Sequence, residues 1–291
     1  MTTPRATIGV IGGTGLYSMP ELTEVENIAV ATPFGPPSDR ITLVALAGQR
    51  VAFLPRHGRG HRLSPTELPV RANLWALKSL GVETVVSVSA VGSLREEIAP
   101  ADIVIPDQLF DRTRQRANTF FTDGIVAHVG IADPFCATLR RVLLESARAV
   151  ATTPVVDGGT LVVIEGPQFS TKGESRVFRQ WGLDIIGMTT LPEARLAREA
   201  ELAYAVIALV TDYDVWHASA EPVTTDAVLR VLAQNARVAQ RILATAVPRI
   251  AAAGCDDGCH HALATAIATT PDAIPAEARA RLALLLDKYL G

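Results

Sequence analysis

Asp212 and Asp214 end a near-continuous apolar run, residues 202–210, and two acids at this spacing are suited to proton transfer. The run is too short to span a membrane, lacks polar alternation and is rich in β-branched residues, which predicts a strand buried on both faces. If the strand continues as far as Asp214, both acids point to the same side. Poor solvation and mutual repulsion then predict a raised pKa for at least one acid, which would hold a proton for a leaving group. This stretch alone leaves open that both are ordinary loop acids.

Residues that suit an anion follow two other predicted strands. Thr14 lies in Gly12-Gly13-Thr14-Gly15, a loop that is either a plain tight turn or a phosphate cradle of backbone amides. The loop lacks the third glycine of a dinucleotide-binding fingerprint. Arg56 and His57 belong to the densest cationic segment, residues 55–62, which is either a rim that holds an oxyanion or a solvated basic loop.

Small and hydroxyl-bearing residues follow two further strands, with Ser89 and Ala90 at one and Thr189 at the other. Together with Arg56 they offer hydroxyl donors and a cationic fork to an inorganic anion. The sequence has no Gly-x-Ser-x-Gly elbow, no Walker lysine and no metal pair of convincing spacing. The combination favours a displacement in which phosphate attacks and a basic leaving group departs with a proton from the acid pair.

The three cysteines, Cys136, Cys255 and Cys259, are too few for the disulfide framework of a secreted scaffold and favour a reducing compartment. The segment Cys255-Asp256-Asp257-Gly258-Cys259-His260-His261 has nearly enough ligands for zinc. These ligands lie in one short segment without a second half-site, so we expect no metal centre. The sequence leaves open whether Cys255 and Cys259 are reduced, bridged or metal-bound.

Charge and hydropathy exclude two classes of partner. The 27 Lys and Arg residues against 30 Asp and Glu residues give a net charge of −3, and no long basic run offers a nucleic-acid footprint. The first apolar run is too short for a secretory signal, and no later run reaches the length of a membrane helix. We therefore expect a cytoplasmic protein that binds neither nucleic acid nor membrane.

Predicted strands and helices alternate along the chain, which indicates an α/β fold around one sheet. No linker is visible, so residues 1–291 are predicted to form one domain, with the C-terminal helices from about residue 224 packed on the same core. Residues 110–121 are predicted to be a polar surface loop. The predicted strands cover residues 8–11, 41–47, 51–54, 84–89, 102–106 and 159–164, with two more that begin at 184 and 202, and the longest predicted helices cover residues 69–80, 134–150, 224–252 and 275–290.

Eight motifs occur in order from about Ile8 to the C-terminus: Gly12-Gly13-Thr14-Gly15, Thr32-Pro33-Phe34-Gly35, Pro55-Arg56-His57-Gly58, Arg71-Ala72-Asn73-Leu74-Trp75-Ala76-Leu77, Ala90-Val91-Gly92-Ser93-Leu94, Glu165-Gly166-Pro167-Gln168-Phe169-Ser170-Thr171, Met188-Thr189-Thr190-Leu191-Pro192-Glu193 and Thr211-Asp212-Tyr213-Asp214. Each is modest alone, but together they resemble the trimeric purine nucleoside phosphorylase family, and within it the methylthioadenosine phosphorylase branch. The resemblance implies a single-domain phosphorylase fold, a central mixed β-sheet flanked by helices.

The resemblance also implies roles for individual residues. Met188 would pack against the ribose, and Phe169 would line the base pocket. Asp212 would donate a proton to N7 of the purine, and both Asp212 and Asp214 would accept from a 6-amino group. The residues expected to bind phosphate are Thr14, Arg56, His57, Ser89, Ala90 and Thr189.

Substrate specificity is implied in the same way. Members that prefer 6-oxopurines usually have an amide at the position of Asp212, so Asp212 points to adenine. Thr225 occupies a position where this branch has a small residue, which leaves room for a 5'-methylthio group. His128 matches a residue that a neighbouring subunit contributes to the 5' pocket, which implies a homotrimer. The remaining specificity residues are Ser170, Val228 and Leu229.

The expected reaction is phosphorolysis of 5'-methylthioadenosine to adenine and 5-methylthioribose 1-phosphate, a step of methionine and purine salvage. Inorganic phosphate is the co-substrate, and no cofactor is expected. Gln168, Gly187 and Val91 depart from the family's usual residues, and each change could broaden substrate choice. Two alternatives remain: a phosphorylase for 6-oxopurine nucleosides or methylthioinosine, and a purine-binding module without catalysis.

Overall fold

The computed structural model describes residues 5–13, 16, 22–217, 225–255 and 257–290, and of residues 225–230 and 232–234 it describes the backbone alone. Thr14 therefore lies outside the described residues, as do the side chains of Thr225, Val228 and Leu229. None of the helices in these ranges combines the length and the apolar character that a bilayer crossing needs.

Within the described part of the chain, one mixed sheet contains all the strands. They are β1 (Ile8–Gly12), β2 (Thr23–Ile28), β3 (Ile41–Leu46), β4 (Gln49–Pro55), β5 (Thr84–Ser93), β6 (Ile103–Ile105), β7 (Gln108–Arg112), β8 (Val155–Asp157), β9 (Thr160–Ile164), β10 (Ile185–Gly187) and β11 (Ala203–Asp212).

Helices flank this sheet, which confirms the predicted fold class. They are α1 (Val70–Ser79), α2 (Ala137–Val150), α3 (Lys172–Gln180), α4 (Thr190–Glu199), α5 (Thr225–Ala253), α6 (Ala276–Arg281) and α7 (Ala283–Leu290), and two short 3-10 turns cover Cys259–His261 and Pro271–Ala273. A capping box fixes the start of α3, because Glu174 N donates to Thr171 Oγ1 at 3.2 Å and Thr171 N donates to Glu174 Oε2 at 2.8 Å.

The sheet runs in the order β2-β3-β4-β1-β5-β10-β9-β7, and β11 lies against β5 as well as β6. Strands β4, β1, β5 and β11 are mutually parallel, so their carboxyl ends lie at one edge. Strand β10 is antiparallel to β5 and therefore approaches that strand from the opposite direction. Ligands of open α/β sheets bind at the carboxyl ends of parallel strands, which makes this edge the place to look for a site.

Strand β11 is buried on both faces, as its sequence predicts. Ala205, Ile207 and Leu209 face the core shared with α2 and α5, whereas Val206 and Ala208 face the core shared with α1 and α4. Helices therefore cover both sides of the central strands. This double burial explains why the run lacks polar alternation.

Several sequence-based boundaries are wrong. Residues 110–121 are not a surface loop, because β7 extends to Arg112 and Phe120 is fully buried. Strand β5 does not end at Ser89 but continues to Ser93, so Ser89 lies inside the strand. The predicted helix over residues 275–290 is two helices, α6 and α7, with an interruption at Leu282.

Candidate active site

Two groups of residues lie at the edge where the parallel strands end. We call Arg56, Ser89 and Thr189 the anion side, and Asp212 and Asp214 the acid side. Arg56 directly follows β4, and Asp212 is the last residue of β11. The strands thus bring together side chains that are up to 158 positions apart in the sequence, from Arg56 to Asp214.

The two hydroxyls of the anion side meet because of the pairing between β10 and β5. Ile185 lies opposite Ser93 and Ile186 opposite Gly92, and the same antiparallel register continued past β10 sets Thr189 opposite Ser89. Ser89 Oγ and Thr189 Oγ1 lie 3.2 Å apart, and both residues are buried. Thr189 is also the N-cap of α4 but makes no capping hydrogen bond with its side chain, so its hydroxyl is oriented toward Ser89 instead.

The Arg56 guanidinium lies in a buried polar network. Its Nε donates to Glu193 Oε1 at 2.6 Å and its Nη2 donates to Ser87 Oγ at 2.6 Å. The carbonyl of Val88 accepts from Nη1 at 2.9 Å. Tyr204 completes the network, since its hydroxyl donates to Glu193 Oε2 at 2.9 Å. The Arg56 and Glu193 side chains are 3% and 1% exposed, so their charges compensate each other away from water.

From the sequence we expect Arg56 to offer a cationic fork to an anion, but this network already occupies most of its hydrogen-bond donors. Among the described residues, protein acceptors engage Nε, Nη2 and one of the two Nη1 hydrogens. The second Nη1 hydrogen has no acceptor in these ranges, and Glu193 neutralises the charge of the group. The anion side is therefore a polar, nearly neutral receptor built on hydroxyls and a single guanidinium hydrogen.

His57 contributes no positive charge near neutral pH. Burial, with a smaller effect from the neighbouring Arg56, lowers its pKa from 6.5 to about 4, against the effect of the Leu63 carbonyl. That carbonyl lies 2.8 Å from Nδ1, so Nδ1 carries the proton and Nε2 is an acceptor in the neutral ring. The ring stacks on His61 with centroids 4.2 Å apart.

A bulge at the end of β11 orients Asp212. The register of β11 against β5 shifts between Val210 and Asp212, and Asp212 lies opposite Gly92. Thr211 Oγ1 donates to Asp212 Oδ2 at 2.7 Å, and Asp214 N donates to Asp212 Oδ1 at 2.8 Å. A Cβ at Gly92 would lie 2.8 Å from Asp212 Oδ1, so glycine is required for this close approach. Burial raises the pKa of Asp212, although the two hydrogen bonds act in the opposite direction.

Asp214 is the stronger proton holder of the pair. Strand β11 ends at Asp212 and Asp214 has a φ of +50°, so a tight turn rather than a continued strand brings the acids together. Asp214 Oδ2 is buried and has no hydrogen-bond partner among the described residues. Burial, with a smaller effect from Asp212, raises the pKa of Asp214 to about 6, while the nearby Ser175 hydroxyl lowers it in part. The predicted raised pKa of at least one acid is thus present in the structure.

Arg116 connects the loops that follow β9 and β10 by hydrogen bonds to both. Its Nη1 donates to the carbonyl of Met188 at 2.6 Å and to that of Leu191 at 2.7 Å, and its Nη2 donates to the carbonyl of Glu165. The Met188 sulfur would lie 2.6 Å from a Cβ at Gly166, whose φ is +65°, so a glycine lets the two loops pack. Arg116 therefore holds the segment that carries Thr189.

Sequence and structure comparisons agree with this fold. The model of the family described as the phosphorylase superfamily matches residues 7–248. The chain belongs to the phosphorylase superfamily. The S-methyl-5'-thioadenosine phosphorylase of Gloeobacter violaceus is 53% identical over 292 residues, which cover 99% of this chain and 98% of that protein.

Solved structures of other phosphorylases have the same fold. A methylthioadenosine phosphorylase from an Antarctic soil metagenomic library superposes with a TM-score of 0.94 at 50% identity, covering 98% of this chain and 100% of that one. A variant of the adenosine/methylthioadenosine phosphorylase of Schistosoma mansoni, solved in complex with methylthioadenosine, gives a TM-score of 0.80 at 35% identity, covering 97% and 98%.

Among the described residues, no hydrogen bond joins His128, Phe169 or Ser170 to either side of the site, and other predicted residues lie outside the description. His128 is exposed, and its backbone N–H donates to the carbonyl of Ala266 at 2.8 Å. Phe169 is 41% exposed, while the neighbouring Ser170 is buried with a hydroxyl that has no partner among the described residues. Thr14 and the side chains of Thr225, Val228 and Leu229 fall outside the described residues.

Sequence reasoning missed the residues that support the phosphorylase site. Tyr204 gave a usable signal, because a lone tyrosine in an apolar buried strand needs a partner for its hydroxyl. Glu193 gave a weaker one, since it appears only as an acid in the first turn of a helix. Arg116 gave none, because its partners are backbone carbonyls and the Glu165 carboxylate, all in distant segments. Metal ligands are not part of this site: across the described ranges, the cluster that could hold an ion lies around Cys136.

Proposed function

We propose that this chain catalyses the phosphorolysis of 5'-methylthioadenosine to adenine and 5-methylthioribose 1-phosphate. One observation carries the proposal: a buried hydroxyl pair and the half-buried Asp212 of the acid pair lie along the same strand, β5. Thr189 is bonded to Ser89, and Asp212 lies opposite Gly92. These positions are three residue steps apart along the strand, about 10 Å at about 3.3 Å per residue, which leaves room for a ribosyl group between an anion and a purine.

In this reaction a phosphate oxygen forms a bond to C1' while the bond from C1' to N9 breaks, and the electron pair of that bond goes to the purine. A proton delivered to N7 makes adenine a neutral leaving group. Positive charge develops on the ribose as the bond lengthens, and the phosphate beside it stabilises that charge. The acid pair is suited to the proton transfer because burial raises the pKa of Asp212, the proposed donor, and that of Asp214, which is about 6.

The proposed roles follow the family resemblance and the two sides of the site. The nearly neutral anion side suits phosphate, because hydroxyl donors and one Arg56 hydrogen bind it without a permanently uncompensated buried cation. Asp212 would contact N7, and Asp212 with Asp214 would accept from the 6-amino group. The other proposed contacts are Thr14 and Ala90 with phosphate, Met188 with ribose and Phe169 with the base. His57 would reach phosphate through its backbone N–H, since its neutral ring has no free donor. Ser170, Thr225, Val228 and Leu229 are proposed to set substrate specificity, Thr225 at the 5' substituent.

A homotrimer is proposed with this function, in which a neighbouring copy supplies His128 to the 5' pocket. The exposure of His128 in the single chain supports that arrangement, since its side chain is available to another copy. The names of the similar proteins support methylthioadenosine as the nucleoside, because several of them are S-methyl-5'-thioadenosine phosphorylases at more than 50% identity. Adenine and the sugar phosphate would then enter salvage.

A product assay tests the proposal directly. The purified chain is incubated with 5'-methylthioadenosine, adenosine or inosine, each with and without phosphate, and the released base is quantified by chromatography. We expect adenine from methylthioadenosine in the presence of phosphate and almost none in its absence. Faster release of hypoxanthine from inosine would indicate a 6-oxopurine phosphorylase. Binding of nucleoside without phosphate-dependent release of base would indicate a module without catalysis.

A further inference from the structure

Four side chains converge at the start of α2, far from both sides of the candidate active site. They are Cys136, Cys255, Asp257 and Cys259, and their sulfur atoms and carboxylate oxygen all lie within 4.8 Å of one another. Cys136 Sγ lies 3.4 Å from Cys255 Sγ and 3.0 Å from Asp257 Oδ2. Three thiols and one carboxylate thus surround a common point.

From the sequence we expect no metal centre, because the candidate ligands lie in one short segment without a second half-site. The folded chain supplies that second half-site. Cys255, Asp257 and Cys259 lie in one short segment, but Cys136 supplies the missing distant ligand, 119 positions before Cys255 in the sequence. Cys136 is the N-cap of α2, and the other three follow the end of α5 at Ala253. The arrangement joins two segments in the way that structural metal sites do.

We propose that Cys136, Cys255, Asp257 and Cys259 form a zinc-binding site. A tetrahedral zinc ion with Zn–S bonds of about 2.3 Å sets its sulfur ligands about 3.8 Å apart. Two of the ligand pairs lie 3.4 and 3.0 Å apart and all four ligand atoms lie within 4.8 Å, so side-chain movements of about 1 Å would bring them to that spacing. Thiolates favour zinc over magnesium or calcium, which prefer oxygen ligands. The thiols bind as thiolates and release their protons to solvent on binding.

The surroundings suit a cation that enters from one side. Cys136 and Cys259 are buried, Cys255 is half-buried and Asp257 is exposed, so the site is closed on the protein side and open near Asp257. Arg198 Nη1 lies 4.0 Å from Cys259 Sγ and favours the thiolate form of that ligand. Four protein ligands leave no open coordination position, which is typical of a structural site.

The site is remote from the proposed chemistry. Cys136 N donates to the carbonyl of Tyr204 near the start of β11, whereas Asp212 ends the same strand eight residues later. At about 3.3 Å per residue the separation is about 26 Å. Zinc would therefore fasten the start of α2 to the segment after α5 and would not take part in phosphorolysis. Removal of zinc should lower thermal stability before it affects the chemical step.

The two adjacent histidines provide a matched control. A purely local motif would use His260 or His261 as ligands, but His260 Nδ1 lies 3.1 Å from the carbonyl of Glu201, and His261 Nδ1 lies 3.3 Å from Lys288 Nζ. His261 is exposed, so His261→Ala is expected to fold. The structure thus separates a site completed by Cys136 from one completed by a histidine.

The test measures bound zinc in the full-length chain after loading with zinc and gel filtration, by mass spectrometry of the metal against protein concentration. The wild type and His261→Ala are expected to carry equimolar zinc, whereas Cys136→Ser and Asp257→Asn are expected to bind it at least tenfold more weakly in competition with a chelator. Equal zinc affinity of Cys136→Ser and the wild type, or loss of zinc from His261→Ala, would overturn the proposal.

A measurement on the wild type alone keeps the proposal testable if Cys136→Ser fails to fold. Cobalt(II) bound in place of zinc should give thiolate-to-cobalt charge-transfer bands and the intense visible bands of a tetrahedral centre. No cobalt spectrum, an octahedral one, or a loaded protein without zinc and with three titratable thiols would refute the site. A mass two hydrogens lower than that of the reduced chain would show a disulfide instead, for which Cys136 and Cys255 need to approach to about 2.05 Å.

Discussion

The two sides of the candidate active site treat buried charge in opposite ways. On the anion side, the guanidinium of Arg56 lies 2.6 Å from the Glu193 carboxylate, and the Ser87 and Tyr204 hydroxyls complete the network. On the acid side, Asp214 Oδ2 is buried without a partner among the described residues, and the pKa of Asp214 is about 6. Hydrogen bonds hold the ion pair of the anion side in place, whereas burial without a partner raises the pKa of Asp214, so that this carboxyl keeps its proton up to about pH 6. One sheet edge therefore carries both a rigid receptor and a titratable acid.

The largest expected effect comes from removing the proton donor of the acid side. Asp212→Asn should lower kcat/KM for 5'-methylthioadenosine by about 10²- to 10⁴-fold, the usual cost of losing a positioned acid. An amide also donates to a 6-oxo group, so activity on inosine should be retained or improved. Steady-state assays with both nucleosides check this. Unchanged turnover of methylthioadenosine would remove Asp212 from the mechanism.

The second largest effect is expected when Arg56 on the anion side loses its counter-charge. Glu193→Gln leaves the buried Arg56 without a counter-charge and should lower the free energy of unfolding by about 3–5 kcal/mol. The matched control is Glu199→Gln on the same helix, since Glu199 is also buried but accepts only from Phe120 N and Thr119 Oγ1, both at 2.7 Å, among the described residues. That change should cost about 1–2 kcal/mol. Denaturant unfolding measures both, and equal losses would mean that the ion pair has no special importance.

The smallest effect appears in the pH dependence of stability, where Asp214 of the acid side and His57, the residue next to Arg56, act in opposite directions. The folded-state pKa of Asp214, about 6, exceeds its unfolded value of 3.8, so its contribution to stability is present below about pH 4 and is lost as pH rises through 6. The folded-state pKa of His57, about 4, is below its unfolded value of 6.5, so stability is lost as pH falls from 6.5 to 4. The two contributions largely cancel in the wild type.

Single substitutions should separate these contributions. As pH rises from 4 to 7, the free energy of unfolding of Asp214→Asn should increase relative to that of the wild type by up to about 2–3 kcal/mol. The wild type loses this stability when Asp214 ionises, and the variant does not. His57→Gln should show the opposite trend. Relative to the wild type, its free energy of unfolding should fall as pH rises over the same interval, because the variant lacks the stability that the wild type gains when His57 loses its proton. Urea unfolding at several pH values gives both differences. Parallel curves for all three proteins would contradict the assignment of these pKa shifts.

The sequence predicts the acid side better than the anion side, for a physical reason. Asp212 and Asp214 adjoin a run whose burial is evident from local composition, and their raised pKa follows from that burial. The orientation of Thr189 depends on the antiparallel register of β10 against β5, and the compensation of Arg56 depends on Glu193, 137 residues away. Such long-range pairings leave no local periodicity to detect.

The same limit applies to turns and to distant ligands. Period-two reasoning expected Asp212 and Asp214 on one side of a continued strand, but a bulge and a residue with φ of +50° bring them together instead. The sequence did not identify Cys136 as a metal ligand, because its partners follow α5, more than a hundred residues later. The role of a residue could thus be predicted where burial alone decides its chemistry, and could not be predicted where contacts between distant segments decide it.

The fate of the phosphorus atom tests phosphorolysis most directly. Phosphorus NMR follows the reaction of 5'-methylthioadenosine with limiting inorganic phosphate in the presence of the wild-type chain, while chromatography counts the adenine released. A sugar 1-phosphate signal should grow in step with adenine as the inorganic phosphate signal falls. Release of adenine with an unchanged inorganic phosphate signal would mean that water is the nucleophile and would contradict the proposed pairing of an anion side with an acid side.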